Sequence, residues 1–307
     1  MTIFSLIFAL LLEQWHPAGS RNRVILLFLS YAGTLERYFD TTVLRHGLLA
    51  WVTAVIPVLA IVGAIYYFLL SLSLLLAWAW NVMVLYFTMG FRQSSQLFTD
   101  INQALKNSDL PQARELLRQW SGAPADELSS EQIARVAIEM ELIYSHRYMF
   151  GVVSCFVLFP GPLGAALYRI VELLGERWSS RTDEAFGSFG GFSAKAFRVI
   201  DWLPVRLTAV SFAIVGNFED AIYCWRIQAA SWSNHAQGII LASGAGALGV
   251  RLGDSLQEAG SVYYRPELGL GEEADMDFLQ STIGLIWRTV LLWLVLLLLV
   301  GIANWTG

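Results

Sequence analysis

From Gly47 to Met89 the chain runs without a single charged side chain, more than twice the roughly 20 residues that one helix needs to cross bilayer hydrocarbon. In lipid every backbone N–H and C=O must be bonded within the protein, so such a run is helical and has to turn back on itself. Pro57 predicts a kink in the first arm, the Ser71 to Ser73 region the turn, and Trp78, Trp80 and Asn81 the neighbourhood of an interface. The expectation is a transmembrane hairpin. Composition points the same way: 56% hydrophobic residues, 15% charged and a mean hydropathy of +0.53 are those of a chain whose solvent is largely lipid.

The remainder divides by hydropathy. Met1 to Leu12 is apolar, lacks a basic start and has no small-residue cleavage site before Glu13, and is read as a retained anchor or short first helix. Residues 91–147 switch to mixed charge and helical periodicity. Ala113, Leu116, Leu117 and Trp120 form one stripe; Ser129 with Gln132 reads as a capping box that opens a second helix, whose stripe is Ile133, Val136, Met140 and Ile143. Tyr148 to Leu174 is apolar but interrupted by Pro160, Gly161, Pro162 and Gly164, which predicts a kinked or re-entrant span. After a polar stretch with Gly187, Gly190 and Gly191, Ile200 to Gly216 is short and broken by Pro204. Phe218 to Asp277 carries most of the remaining acids and reads as a solvated loop region. Thr289 to Trp305 is Leu-rich, with Trp287 and Arg288 before it and Trp305 at its end, and is the cleanest single span.

The expected fold is therefore all-α: a polytopic membrane protein with about four or five transmembrane or re-entrant segments and an amphipathic helical insertion. The segments are 1–90, anchor and hairpin; 91–147, soluble or interfacial insertion; 148–216, Gly/Pro-broken membrane segments; 217–283, acidic loops; and 284–307, a C-terminal span. Basic residues crowd Arg21 to Arg45, Arg92 to Arg147 and Arg177 to Arg206, so the positive-inside rule puts these loops in the cytoplasm of a bacterial inner-membrane, multi-pass protein if Tyr148 to Leu174 re-enters.

A net charge of −5 and scattered basic residues offer no field for nucleic acid. Cys155 and Cys224 lack metal-ligand or CxxC spacing and read as structural thiols. The histidines, His16, His46, His146 and His235, fall in separate segments with no partner at i+4, so no metal site is expected. Neither GxxxxGK[ST], GxSxG nor a dinucleotide-binding glycine pattern occurs. No internal repeat supports a transporter built around a midplane site.

Three blocks carry a family pattern: Gly161-Pro162-Leu163-Gly164-Ala165-Ala166-Leu167-Tyr168-Arg169, Trp202-Leu203-Pro204-Val205-Arg206-Leu207-Thr208, and Ala245-Gly246-Ala247-Leu248-Gly249-Val250-Arg251-Leu252-Gly253. In this order they resemble the CobD/CbiB family of cobalamin biosynthesis, the last block most specifically. The first two, with the opening apolar run to Leu12-Glu13, also resemble AmpE, a membrane protein linked to β-lactamase regulation. The CobD/CbiB resemblance implies an amide-forming ligase that joins aminopropanol or its phosphate to the last free carboxylate of the corrin, with ATP and magnesium. The chain departs from that family at acidic positions. Ile143, Tyr144 and Arg147 stand where a Glu-Asn…Asp signature is expected, Glu172 to Gly175 where Asn-Thr-Leu-Asp is expected, and Phe197 and Arg198 where a pair of aspartates is expected.

The candidate ligand-binding residues are Arg169, Glu172, Asp201, Arg206 and Arg251, the arginines as bidentate receivers of an anion. The blander reading pairs Asp201 and Glu172 with Arg198 or Arg169. Glu139 and Glu141 are placed on a solvated helix face, and His146 at a helix–membrane junction. No catalytic residue is assigned, and enzyme status stays open. The leading functional expectation is a sensor, modulator or scaffold in envelope signalling that has lost the ligase site. The alternative is an adenosylcobinamide-phosphate synthase, with magnesium and ATP as cofactors under that alternative alone. Expected partners are the bilayer, an anionic small molecule or corrinoid, and a membrane protein.

Overall fold

The computed structural model describes residues 2–15, 21–38, 44–179, 187–258 and 261–306. In chain order the helices are α1 (Thr2–Trp15), α2 (Arg21–Tyr38), α3 (Leu44–Leu72), α4 (Leu74–Thr88), α5 (Phe91–Lys106), α6 (Leu110–Ser121) and α7 (Ser130–Ser145). A π-helical turn, His146–Phe150, leads into α8 (Gly151–Leu158), α9 (Leu163–Ser179), α10 (Gly187–Ile200), α11 (Trp202–Val215), α12 (Phe218–Gln228), α13 (His235–Leu248) and α14 (Met276–Thr306). The only strands among the described residues are β1 (Val250–Arg251), β2 (Leu256–Glu258), β3 (Ser261–Tyr263) and β4 (Glu272–Glu273), paired as β1 parallel to β4 and β2 antiparallel to β3. The fold is that of an all-α membrane protein.

Two compact units share the chain: Met1–Gly90 with Gly151–Pro204, and Phe91–Phe150 with Val205–Gly307. In the first, the apolar hairpin is present. Ser73 separates α3 from α4 and caps α4 by accepting from the Leu75 N–H, and the Trp80 indole donates across the hairpin to the Val62 carbonyl at 3.2 Å. Pro57 is carried inside α3. Ala50, Ala54 and Ala166 let backbones approach, and Ile170, Val171, Leu174 and Trp178 of α9 complete the core of this unit. Arg177 and the Trp178 indole both donate to Glu36 Oε1, at 2.5 and 2.8 Å, tying α9 to α2. The Pro160–Pro162 stretch divides α8 from α9, as the sequence indicated.

The second unit holds the amphipathic helices. Ser129 and Gln132 form the expected reciprocal capping box on α7, and Asp109 caps α6. In α6, Ala113 and Leu117 are buried while Leu116 and Trp120 are half-buried. The α7 stripe is shifted from expectation: Ile133, Ala134, Ala137, Ile138 and Leu142 are buried, whereas Val136, Met140 and Ile143 are only half so. The solvated loop expected over Phe218 to Asp277 is instead α12 and α13 followed by short strands. Glu219 and Asp220 sit in the first turn of α12 beneath the Asn217 cap, where acids complement the helix dipole rather than mark a loop. Pro204 likewise lies in the first turn of α11, where its missing N–H costs nothing, so it opens that helix instead of breaking it.

Two described helices are long and apolar enough to cross a bilayer, over Gly47–Leu72 and Met276–Ala303. The second is informative in detail. Its first half buries Leu279, Thr282, Leu285, Ile286, Thr289 and Val290, and beyond that point Leu291, Val295, Leu296 and Leu299 are all exposed. At 1.5 Å per residue the helix is about 46 Å long, more than the roughly 30 Å of hydrocarbon. Arg288, which donates to the Gly284 and Val215 carbonyls, stands at the change from protein-packed to apolar-exposed helix.

Candidate functional site

In the first unit α9 presents Tyr168, Arg169 and Glu172. Glu172 is fully buried and takes the Arg169 Nη1 at 2.6 Å, a pair nearly shut off from solvent. The pairing of Glu172 with Arg169 is the one expected from sequence. Asp201 lies between α10 and α11, 3% exposed, and accepts the Tyr168 hydroxyl at 2.9 Å. Arg198, the other proposed partner, is exposed. Tyr168 is the residue that sequence reasoning passed over: it was visible inside the first family block but carried no charge to mark it. Its ring is fixed by Phe197, edge-on at 5.7 Å, and by Gly151, where a Cβ would come within 2.2 Å of the phenol carbon and oxygen.

Arg206 and Arg251 belong to the second unit. Arg206 is half-buried on α11. Arg251 is on β1, directly after α13 ends at Gly249 in the left-handed conformation. Its two terminal nitrogens each meet a carboxylate only at 3.5 Å, Glu267 and Glu273, and both acids are largely exposed. Its Nε is buried without a hydrogen-bond partner.

Beneath this strand lies a cluster that the sequence reading missed. Glu139 of α7 is 4% exposed, not solvated; its Oε1 accepts the Gly253 N–H at 2.8 Å and its Oε2 the Arg265 Nη1 at 2.6 Å. The Gly253 carbonyl accepts from Arg135 Nη1 at 3.0 Å and Arg265 Nη2 at 3.1 Å. Arg265 also lies over the Trp232 ring at 5.6 Å. Burial holds the Glu139 carboxyl above its ordinary range, against the pull of Arg265 and the Gly253 N–H. Gly253 has φ of 79°, and a Cβ there would meet the Pro266 carbonyl at 2.0 Å, so only glycine fits.

Glu141 is also buried, at 1% exposure, with its Oε2 unpartnered. His146 is buried in the π-helical turn between α7 and the apolar α8 and shares a 2.9 Å hydrogen bond with Thr208. That turn follows the end of α7 at Ser145 and contains Arg147. Among the described residues no three His, Cys, Asp or Glu side chains stand together as metal ligands; His16 lies outside the described residues.

Fold and site together define a helical membrane protein with buried Arg–Glu and Tyr–Asp pairs in one unit and an arginine-bearing glycine arch in the other. The chain belongs to the CobD/CbiB family, whose model, described as CobD/Cbib protein, matches residues 6–286. It is 33% identical to the cobalamin biosynthesis protein CobD of Stutzerimonas stutzeri, over 98% of this chain and 99% of that one. The CobD of Chromobacterium violaceum is 32% identical over 72% of this chain and 70% of its own. The cobalamin biosynthesis protein CbiB of Salmonella arizonae is 27% identical over 69% and 68%. No solved structure matches. These relatives favour the cobalamin reading over envelope signalling, which none of their names supports.

Proposed function

We propose that this protein is an amide-forming enzyme of cobalamin assembly, which joins aminopropanol or its phosphate to a corrin carboxylate. It would work as a multi-pass protein of the bacterial inner membrane. The observation that carries this reading is the end-to-end match to a CobD of cobalamin biosynthesis, covering all three family blocks. A second support is that the most specific block is actively held: Glu139, Arg135 and Arg265 grip Gly253 with three hydrogen bonds of 2.8 to 3.1 Å, and Arg265 is itself bonded to Glu139 at 2.6 Å.

Amide formation needs an electrophilic acyl carbon and a neutral amine, with the carboxylate oxygen leaving as part of an activated group. Arginines suit the anionic groups of such substrates, whether corrin carboxylate or phosphate ester. The Tyr168–Asp201 pair places a hydroxyl proton against a buried carboxylate, a pairing of the kind used for proton transfer. Magnesium and ATP belong to this chemistry in the family. The described carboxylates do not form a cage for the ion: Glu172 is engaged by Arg169 and Asp201 by Tyr168, and no third ligand stands with them.

Complementation tests the reading. Expressed in a strain that lacks its cobinamide-phosphate synthase, the chain should restore corrin-dependent growth, and Asp201→Ala should abolish it while membrane levels stay constant. Absence of growth with the protein correctly inserted would refute the enzyme reading.

A further inference from the structure

We infer that Glu139 is a positioning residue: through Gly253 and Arg265 it fixes the Gly249–Gly253 arch so that Arg251 is offered to a phosphate group of the substrate. The inference rests on the amide-forming reading for the identity of the ligand, but its geometry stands alone.

The bonds around the arch are unequal in a telling way. On the inner side the contacts are short, apart from a second Arg265–Glu139 bond of 3.3 Å. Glu139 accepts from the Gly253 N–H at 2.8 Å and from Arg265 at 2.6 Å, and the Gly253 carbonyl takes Arg135 and Arg265 at 3.0 and 3.1 Å. Leu252 is locked to Leu268 by two backbone hydrogen bonds of 2.7 and 2.8 Å. Charge-assisted bonds of this length, largely shielded from water, are among the strong ones. On the outer side Arg251 meets Glu267 and Glu273 only at 3.5 Å, beyond good hydrogen-bond geometry, and both carboxylates are more than half exposed. Exposed ion pairs of this kind contribute little. Arg251 is thus held by its backbone, paired by register with Glu273 across β1 and β4, while its guanidinium keeps an unsatisfied Nε and two weak, displaceable partners.

A phosphate monoester matches what is left over. It offers several acceptor oxygens at once, enough for the fork of an arginine. It would displace exposed carboxylates that have water as an alternative partner. Aminopropanol itself is a cation at neutral pH and would gain nothing from Arg251. The arch therefore distinguishes the phosphorylated from the free amino alcohol.

The test uses the full chain in lipid nanodiscs, with amide hydrogen exchange across residues 249–254 and titration with aminopropanol phosphate and with aminopropanol. Glu139→Gln keeps the side chain's shape but turns a donor toward Arg265; it should raise exchange in the arch about tenfold or more and weaken binding of the phosphate compound. Arg251→Gln should leave arch exchange at the wild-type level yet abolish the preference for the phosphate compound. If Glu139→Gln does not fold, Arg265→Gln breaks the same clamp from its other side and should give the same rise in exchange. Wild-type exchange in the folded clamp variant would overturn the positioning role, and a retained phosphate preference in Arg251→Gln would overturn the ligand. Failure of the proposed enzyme activity appears separately, as absent complementation by the wild-type chain, and leaves the exchange result readable.

Discussion

Glutamine in place of Glu141 isolates the consequence of burying a carboxyl without a partner. Glu141 is 1% exposed in the middle of α7, and its Oε2 has no hydrogen-bond partner. Burial alone pushes its carboxyl well above the ordinary 4.5. As pH rises past 4.5 the unfolded chain releases this proton while the folded chain keeps it, so the unfolded state is progressively favoured. Stability is present in full at low pH and is lost by about 1.4 kcal/mol for each pH unit until the folded carboxyl itself ionises. Glutamine has a similar shape and polarity to the protonated acid but cannot ionise, so the variant lacks this dependence. Relative to wild type, Glu141→Gln should therefore gain stability as pH rises above 4.5, by up to about 1.4 kcal/mol for each pH unit over which the folded carboxyl keeps its proton. Equilibrium unfolding of the full chain in micelles, followed by tryptophan fluorescence at several pH values, reads the difference directly. Parallel curves for the two proteins, or a wild type that gains on the variant with rising pH, would refute the reasoning, since the second result requires an ionised and paired Glu141.

Two other perturbations test local readings. Tyr168→Phe removes the hydroxyl that Asp201 accepts, and leaving that buried carboxylate one bond short should cost about 1–3 kcal/mol in the same unfolding assay; an unchanged midpoint would show the bond to be dispensable. Leu296→Lys places a charge on the exposed apolar half of α14 and should impair membrane insertion by about 2.5–3.5 kcal/mol, whereas Ser281→Lys, in the exposed polar part of the same helix, should insert normally. Equal insertion of the two variants, measured by glycosylation mapping or protease protection, would contradict the division of the helix near Arg288.

What the sequence made legible was what depends on nearest neighbours along the chain. The uncharged run from Gly47 needs no tertiary information to demand a hairpin, and the capping box at Ser129 is a contact between residues three apart. Pro160 to Pro162 divides α8 from α9 for the same local reason. Glu139 and Glu141 fail that logic. A helix with one buried face leaves its acids solvated, but α7 packs against α5, α6, α13 and α14, so Glu139 and Glu141 are buried and the partners of Glu139 come from residues more than a hundred positions away. Glu139 finds Gly253 and Arg265 there, and Glu141 finds nothing for its Oε2. The same distance hid the candidate site. Arg251 was recognisable because it sits in a family block, yet what makes it a plausible receiver is the contrast between its own weak pairs and the tight clamp under Gly253. Apolar and basic side chains at Ile143, Tyr144 and Arg147, where the family resemblance leads one to expect acids, do not by themselves argue for a lost function, because α7 carries a buried carboxylate at Glu139, one turn before Ile143, that grips Gly253 and Arg265.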